Sequence, residues 1–251
     1  MPRRLGQHFL VRKSILERIA LAALPEPGGA VVEIGPGRGA LTSELAERAE
    51  RVIAVEIDPV LVQYLRAKFR GQRNVEIVAS DVLKLDLNQW GRTAVAGNLP
   101  YYITSPIIEK VLDTGPLWTR ATFLVQKEVA ERITAKPGSR DYGFLTVRVQ
   151  FYSEAELLFT VPPSAFRPPP LVDSAVIRLT PKPRAADFPE SDFVKFAGLC
   201  FHLKRKTIRN NLLGSYDKAA LDAIPETGRR AEQMPIPELM ELYAKLKPAR
   251  L

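Results

Sequence analysis

The residues of this sequence that are best suited to chemistry form a short turn, Asn98-Leu99-Pro100-Tyr101. Asn98 carries a side-chain carbonyl, and Pro100 holds the preceding backbone extended, so the carbonyl of Leu99 can also accept a hydrogen bond. Two such acceptors could bind both N–H groups of an aromatic amine and stabilise a pyramidal nitrogen, the geometry needed to attack a methyl group. Tyr101 offers a face on which the substrate ring can stack. Water can take the proton from the product, so this chemistry needs no histidine or carboxylate base.

A glycine-rich turn, residues 35–39, follows the apolar run 30–34 and forms a second candidate site. Its glycines allow a sharp backbone turn and the close approach of a ligand. The glycine spacing is G-x-G-x-G, which differs from the G-x-G-x-x-G of dinucleotide enzymes. Glu33, just before the turn, would repel a pyrophosphate but suits a cationic ligand. A nicotinamide dehydrogenase is therefore disfavoured.

Two more acidic residues extend this candidate site. Glu56 ends the next apolar run, about 20 residues after the glycines, where a carboxylate can hold two ribose hydroxyls. Asp81 follows the third apolar run and can accept a hydrogen bond from an adenine amine, with Ile57 and Val82 flanking the ring. Any one of these acids could be a solvated loop end. Three acids after three successive strands instead predict a nucleoside pocket at one edge of a sheet.

Apolar runs alternate with helical patterns along the first 180 residues, which predicts a parallel sheet covered by helices. The predicted strands are residues 30–34, 51–55, 75–78, 94–96, 121–125, 155–160 and 174–180. Segment 144–151 has no clear period, and we predict a helix there. After the proline-rich segment 181–183 only helical patterns follow, at residues 193–203, 205–213, 218–223 and 237–246. We therefore predict two domains, residues 1–181 and an all-helical domain of residues 182–251.

The formal net charge of +8 and the isoelectric point of about 9.6 fit a polyanionic partner such as nucleic acid, although a generically basic, solubilising surface would give the same values. The single cysteine, Cys200, allows no internal disulfide and fits a reducing compartment. No run of 18 apolar residues exists and the first residues lack a signal-peptide pattern, so we expect a cytoplasmic protein without a membrane partner. We also expect no bound metal.

In their order along the chain, these motifs resemble the ribosomal RNA small-subunit adenine dimethyltransferase family. The resemblance is carried by residues 6–10, 33–42, 56–58, 81, 98–101, 126–130, 161–174 and 204–212. It implies a class I methyltransferase fold, Rossmann-like, with a mostly parallel seven-stranded sheet and a small all-helical C-terminal domain. It also implies S-adenosylmethionine as cofactor and N6,N6-dimethylation of two adjacent adenosines in a 16S rRNA stem-loop of the immature small ribosomal subunit. We expect a monomer.

Carried over by position, the resemblance assigns roles to individual residues. It places the cofactor against His8, Leu10, Gly35, Glu56, Asp81 and Asn98. The pocket inferred above from the residues themselves adds Glu33, Gly37, Ile57 and Val82 to the predicted cofactor contacts. The catalytic residues would be Asn98, Leu99, Pro100, Tyr101 and Phe166, with Phe166 clamping the target base opposite Tyr101. This sequence departs from the family at two positions. His8 replaces the usual asparagine, and Tyr102, at a position where a smaller polar residue is common, either narrows the pocket or packs.

Basic residues of the C-terminal helices could bind phosphate groups. Arg205 and Arg209 are four residues apart and would share a helix face, with Lys206 beside them, although a solvated face would look the same. Further RNA-binding candidates are Arg3, Arg4, Arg12, Lys13 and the loop 136–140. Two other functions stay open at this point. One is a dimethylase of large-subunit rRNA, and the other is an RNA-binding assembly factor whose methylation is incidental.

Overall fold

The structure is a computed structural model that describes residues 8–115, 117–183 and 187–246. The chain forms two compact units. One contains the residues up to Ala130 together with Glu154–Pro181, and the other contains Glu131–Ser153 together with the residues from Lys182 onwards. Arg3 and Arg4, which we predicted to bind RNA, lie outside the described residues.

The described residues form the following elements. The strands are β1 (Phe9–Leu10), β2 (Ala30–Ile34), β3 (Arg51–Glu56), β4 (Val75–Ala79), β5 (Thr93–Asn98), β6 (Trp118–Gln126), β7 (Ser153–Val161), β8 (Phe166–Arg167) and β9 (Ser174–Pro181). The α-helices are α1 (Lys13–Ala23), α2 (Ala40–Ala46), α3 (Pro59–Lys68), α4 (Thr104–Asp113), α5 (Lys127–Ile133), α6 (Phe144–Tyr152), α7 (Glu190–Cys200), α8 (Ile208–Leu212), α9 (Lys218–Asp222) and α10 (Ile236–Leu246). Short 3₁₀ turns cover Val82–Lys84, Leu87–Trp90, Tyr101–Ile103, Pro163–Ala165, Pro225–Gly228 and Ala231–Gln233.

The first unit is built on a seven-stranded sheet in the order β4-β3-β2-β5-β6-β9-β7, which confirms the predicted sheet. Strands β2 to β6 pair in parallel, and β9 runs antiparallel to β6. Val31 and Val32 of β2 are fully buried, as expected for a central strand covered on both faces. A separate two-stranded ladder pairs β1 with β8.

Helix α1 shows why the apolar pattern predicts the packing of this unit. Its residues Ile15, Leu16, Ile19, Ala20 and Ala23 recur at helical spacing and are all buried. They join a cluster of apolar side chains from α2, β2, β3 and β5. The core therefore forms around the central strands, and it supports the strand ends that carry the candidate site.

The second unit has an aromatic core, and this core explains its boundaries. Tyr142 and Val147 are buried in one cluster with Phe193 and Phe196 of α7. Segment 131–153 therefore groups with the C-terminal helices, whereas we predicted a boundary at residues 181 and 182 alone. The predicted helix over 144–151 is confirmed as α6. Nothing in its local pattern shows that it packs against helices from a later part of the chain.

The predicted helix over residues 205–213 is wrong in its first turn. Helix α8 begins at Ile208, after Thr207 caps it by accepting a hydrogen bond from the backbone N–H of Asn210. Arg205 and Lys206 lie in the preceding turn and do not share a helix face with Arg209. Among the described residues, no helix has the length and apolar character needed to cross a membrane.

Candidate active site

The turn Asn98–Tyr101 begins where β5 ends, against the glycine-rich turn that follows β2. Gly97 allows this approach, because a Cβ atom there would lie 2.5 Å from the carbonyl oxygen of Ile34. Asn98 is the last residue of β5 and pairs with Leu124 of β6. A Cβ atom on Gly35 would lie 3.9 Å from the Asn98 carbonyl oxygen, so the two turns are adjacent.

The side chain of Asn98 is oriented by the backbone next to β1. Its Nδ2 atom donates a hydrogen bond to the carbonyl oxygen of His8 at 3.0 Å. A carbonyl oxygen only accepts, so the amide nitrogen must face it, and Oδ1 is then available to a donor on a ligand. The backbone of the turn offers a second acceptor. The Pro100 carbonyl already accepts from Ile103 N–H at 3.1 Å and from the Thr104 hydroxyl at 3.1 Å, which leaves the Leu99 carbonyl for a substrate.

Tyr101 is held at both its ring and its hydroxyl group. The hydroxyl group shares a 2.7 Å hydrogen bond with Ser174 Oγ, and burial raises the pKa of this phenol. One side of the ring faces the imidazole of His8, with ring centroids 5.9 Å apart and an angle of 25° between the planes. The His8 Nδ1 atom lies 2.9 Å from the Pro168 carbonyl oxygen, so Nδ1 carries the hydrogen and donates it. The sequence did not predict this contact between His8 and Tyr101.

Glu33 is a buried carboxyl group beneath the glycine-rich turn. It is 1% exposed, and its Oε2 accepts a 2.5 Å hydrogen bond from the Thr42 hydroxyl. The pKa of Glu33 is raised to about 7, chiefly by burial and also by the charge of Glu56, although the hydrogen bond from Thr42 and the charge of Lys68 act in the opposite direction. A positively charged ligand beside Glu33 would favour its ionised form.

Glu56, at the end of β3, is a hydrogen-bond acceptor for three backbone N–H groups. Its Oε1 accepts from Ile57 at 2.9 Å and from Asp58 at 3.0 Å, and its Oε2 accepts from Gly37 at 3.1 Å. Burial raises the pKa of Glu56, and these three hydrogen bonds counteract the rise. Since a carboxylate offers about four acceptor sites, Oε2 retains capacity for a ribose hydroxyl.

Asp81 lies after β4, and its Oδ1 caps a 3₁₀ turn by accepting from Leu83 N–H at 3.0 Å. The two predicted ring neighbours differ in exposure, since Val82 is 7% exposed and Ile57 is 58% exposed. Both line the same cavity as Asp81. An apolar ring between them would therefore cover an otherwise exposed isoleucine.

One cavity of about 270 Å³ brings nearly all of these residues together. Its lining includes every residue predicted to contact the cofactor, and also Leu99, Pro100 and Tyr101. Tyr102 also lines the cavity, in keeping with one of the two alternatives given for it above, whereas the sequence did not indicate the lining residues Phe9, Arg38 and Arg167. Phe9 and Arg38 lie within motifs that we singled out, and the Arg38 guanidinium stands 4.9 Å from the centre of the Phe9 ring. Their positions within those motifs could have identified them as cavity residues.

Phe166 does not line this cavity in the described part of the chain, contrary to the prediction. Its backbone pairs with Leu10 in the β1–β8 ladder, and its side chain is fully buried in the apolar core. Successive side chains of a strand point to opposite faces, so the next residue, Arg167, reaches the cavity instead. The second aromatic ring beside Tyr101 in this structure is that of His8.

The predicted phosphate-binding residues lie in different environments. Arg209 forms an ion pair with Asp222, with Nε and Oδ1 2.5 Å apart, and this pair raises the pKa of Arg209 and lowers that of Asp222. Arg205 and Lys206 are exposed in the turn before α8. Lys204, in the same turn, donates through Nζ to the carbonyl oxygen of Arg140, which joins this turn to the loop 136–140. The two basic segments are therefore neighbours.

Comparisons with known proteins identify the family. A family model described as ribosomal RNA adenine dimethylase matches residues 2–244. The chain is 42% identical to the ribosomal RNA small subunit methyltransferase A of Koribacter versatilis, over 97% of this chain and 94% of that relative. It is also 42% identical to the protein of the same name from Geobacillus thermodenitrificans, over 97% of this chain and 90% of that relative.

Two solved structures resemble the whole chain. A dimethyladenosine transferase from Plasmodium falciparum has a TM-score of 0.83 and 25% identity, over 97% of this chain and 99% of that one. The 23S rRNA methyltransferase ErmE has a TM-score of 0.74 and 33% identity, over 95% of this chain and 99% of that one. These matches confirm the class I methyltransferase fold. The chain belongs to the ribosomal RNA adenine dimethylase family, and it is an rRNA adenine dimethyltransferase that uses S-adenosylmethionine as its methyl donor.

Proposed function

We propose that this enzyme dimethylates two adjacent adenosines in a 16S rRNA stem-loop of the immature small ribosomal subunit, acting as a monomer in the cytoplasm. The observation that carries this proposal is the shared cavity of the Asn98–Tyr101 turn and the acids Glu33, Glu56 and Asp81. Identity favours the small subunit, since it is 42% with two small-subunit methyltransferases and 33% with ErmE, a 23S rRNA methyltransferase.

The acidic part of the cavity fits the proposed cofactor. Glu56 keeps acceptor capacity for a ribose hydroxyl, and Asp81 can accept from the adenine amine between Ile57 and Val82. Glu33 is a buried carboxyl group, and a positively charged ligand beside it would stabilise its ionised form. S-adenosylmethionine supplies a methyl group that is activated by its positively charged sulfur.

The turn supplies the groups that make the adenine amine reactive. Asn98 Oδ1 and the Leu99 carbonyl accept its two N–H groups, which favours a pyramidal nitrogen with its lone pair directed at the methyl group. The hydrogen bond from Asn98 Nδ2 to His8 holds the amide in this orientation before the substrate arrives. Tyr101 positions the base by stacking, and water takes the proton released after each transfer.

The RNA is held outside the cavity by basic residues that contact its phosphates. In the second unit these are Lys136, Arg140, Lys204, Arg205 and Lys206, which are all exposed and lie in the two joined segments. In the first unit, Arg12 and Lys13 are exposed at the start of α1, directly after the cavity residue Val11. Such contacts position RNA without reading its sequence.

A methyl-transfer assay tests the proposal. Small subunits are isolated from a strain that lacks the gene and incubated with labelled S-adenosylmethionine and either wild-type enzyme, Asn98→Ala or Asn88→Ala. Asn88 is exposed in the first unit and serves as the matched control. We expect wild type and Asn88→Ala to produce dimethyladenosine in 16S rRNA, and Asn98→Ala to produce almost none. A wild-type enzyme that leaves the 16S rRNA of these subunits unmethylated, but forms dimethyladenosine in 23S rRNA in a parallel incubation with large subunits, would contradict the proposed substrate.

A further inference from the structure

Tyr102 is an aromatic residue at the cavity that the mechanism above does not use. Its side chain is 61% exposed, although it lines the cavity beside Tyr101. It is not an isolated apolar group on the surface. Val11 lines the same cavity and is 51% exposed, whereas Ile57, at 58%, is the residue that the adenine of the cofactor would cover. Exposed apolar side chains grouped at the mouth of a cavity indicate a surface that is covered when the ligand binds.

The backbone holds Tyr102 in a defined place. It is the middle residue of the 3₁₀ turn Tyr101–Ile103, which is closed by the hydrogen bond from Ile103 N–H to the Pro100 carbonyl. Successive side chains of a 3₁₀ turn diverge by about 120°. Tyr101 is therefore held towards His8 and Ser174, while Tyr102 emerges on a different side of the turn, where it is exposed. Two successive aromatic residues therefore line the cavity, and the ring of Tyr102 is the exposed one of the two.

Arg167 adds a cationic group to this region. It lines the cavity and is exposed, and its Nη1 donates to the carbonyl oxygens of Phe166 at 2.9 Å and Ser164 at 3.4 Å. A guanidinium has five N–H groups, so a guanidinium held in this way can still donate to a phosphate. The lining of this cavity therefore includes an exposed aromatic ring and a cationic group, the two features that bind single-stranded nucleic acid.

We propose that Tyr102 is a second base-binding platform, on which the nucleobase next to the target adenosine stacks while Arg167 contacts the linking phosphate. This inference rests on the proposed function. Moving one base out of its stack also deprives the neighbouring base of a stacking partner, and the Tyr102 ring replaces that partner. Stacking does not depend on base identity. With two adjacent adenosines as substrate, one of them can therefore occupy the platform while the other is methylated.

Steady-state kinetics on small subunits tests this platform. Tyr102→Ala is compared with Tyr102→Phe and with Tyr64→Ala, whose ring on α3 is 49% exposed and is not among the cavity-lining residues. We expect Tyr102→Ala to raise the KM for the subunit about tenfold, the change typical of losing one base stack, with kcat little changed. Tyr102→Phe and Tyr64→Ala should keep the wild-type KM. Calorimetric binding of S-adenosylhomocysteine should be the same in all variants.

An unchanged KM in Tyr102→Ala would overturn the inference, and so would a Tyr102→Phe variant as poor as Tyr102→Ala, since that result assigns the effect to the hydroxyl group. Wild-type enzyme that leaves 16S rRNA unmethylated would instead contradict the proposed function. The two failures are therefore distinguishable.

Photocrosslinking gives a second measurement that does not depend on activity. Tyr102, or Tyr64 as control, is replaced by p-benzoylphenylalanine, and crosslinks to rRNA are mapped by primer extension. We expect position 102 to crosslink to the nucleotide next to a methylated adenosine, and position 64 not to do so. If position 102 crosslinked only to nucleotides distant from the methylated adenosines, the proposed role of Tyr102 as a base-binding platform would be wrong.

Discussion

The side-chain amide of Asn98 donates a 3.0 Å hydrogen bond to the backbone carbonyl of His8, a residue 90 positions earlier in the chain. The bond connects the catalytic turn to the segment that precedes β1. The His8 ring also faces Tyr101, so one residue contacts both side chains that we expect to hold the target adenine. The orientation of the Asn98 amide therefore depends on how the first described residues fold over the cavity.

This relationship predicts the effect of Asn98→Asp. A carboxylate keeps an acceptor for the substrate amine, but it has no N–H to donate to the His8 carbonyl and places two acceptors against each other. Leaving a partly buried carbonyl in this state costs about 1–3 kcal/mol. We expect the single-turnover rate of methyl transfer to fall about tenfold or more. Asn88→Asp, which adds the same charge at an exposed site of the same unit, should retain the wild-type rate. A wild-type rate in Asn98→Asp would refute the positioning role of this hydrogen bond.

Glu33 predicts that cofactor binding releases protons. Its pKa is raised to about 7 in the protein without ligand, so a large fraction is protonated at pH 6.5. A cationic ligand favours the ionised form and expels the proton. Titration calorimetry at pH 6.5, in buffers of different ionisation enthalpy, should show proton release and an affinity for S-adenosylmethionine that rises with pH. Glu33→Gln should abolish the release, and equal proton release in both proteins would contradict this assignment.

The same carboxyl group predicts how stability depends on pH. The pKa of Glu33 is about 7 in the folded protein, whereas its ordinary value is 4.5, so the folded state binds this proton more tightly. The contribution of Glu33 to stability is therefore complete below pH 4.5 and declines as the pH rises to about 7. Relative to wild type, Glu33→Gln should raise the free energy of unfolding at pH 8 by at most roughly 3 kcal/mol, and by much less near pH 5. Urea unfolding at both pH values measures this difference.

The close packing around Gly97 predicts that replacing it by a larger residue lowers the stability of the protein. An alanine Cβ there would lie 2.5 Å from the backbone oxygen of Ile34, and the paired strands β2 and β5 leave little room to move. We expect Gly97→Ala to lower the free energy of unfolding by about 1–3 kcal/mol, or to prevent folding. Gly71→Ala is the control, since a Cβ at Gly71 would meet no atom within 4 Å. If the two substitutions lowered the free energy of unfolding equally, the close packing of β2 against β5 would not require a glycine at position 97.

The basic turn before α8 predicts a change in the salt dependence of RNA binding. The double variant Arg205→Gln with Lys206→Gln should weaken binding to small subunits and reduce the slope of log affinity against log salt by about 0.7–0.9 for each phosphate that the variant no longer neutralises. Lys195→Gln is the matched control, because Lys195 is exposed in the same unit and faces Asp192 at 3.5 Å. Filter binding over a range of salt concentrations measures the slopes. An unchanged slope in the double variant would show that this turn does not contact the phosphates of the RNA.

Much of the sheet and the cavity follows from local patterns. Each apolar run predicted as a strand forms one. For the central strands β2, β3 and β5 the reason is that a strand buried on both faces must be apolar along its length. The parallel register then places the ends of β2, β3 and β5 at one edge, so Gly35, Glu56 and Asn98 meet as the spacing predicts. Asp81 joins them because β4 pairs with β3 in the same direction.

Other features are absent from local patterns, since they depend on contacts between distant segments. The β1–β8 ladder turns Phe166 into the core and brings Arg167 to the cavity, and a one-residue shift would exchange them. The side chain of Asn211 in α8 accepts from Leu203 N–H and donates to the carbonyl of Cys200 at the end of α7, so it bridges the non-helical stretch that holds Arg205 and Lys206. The sequence by itself therefore determined the sheet, the acids at its edge and the reactive turn, because strand burial and parallel pairing follow from local composition. Only the tertiary structure decided which aromatic ring faces Tyr101 and how Asn98 is oriented, because both depend on a backbone segment that is distant along the chain.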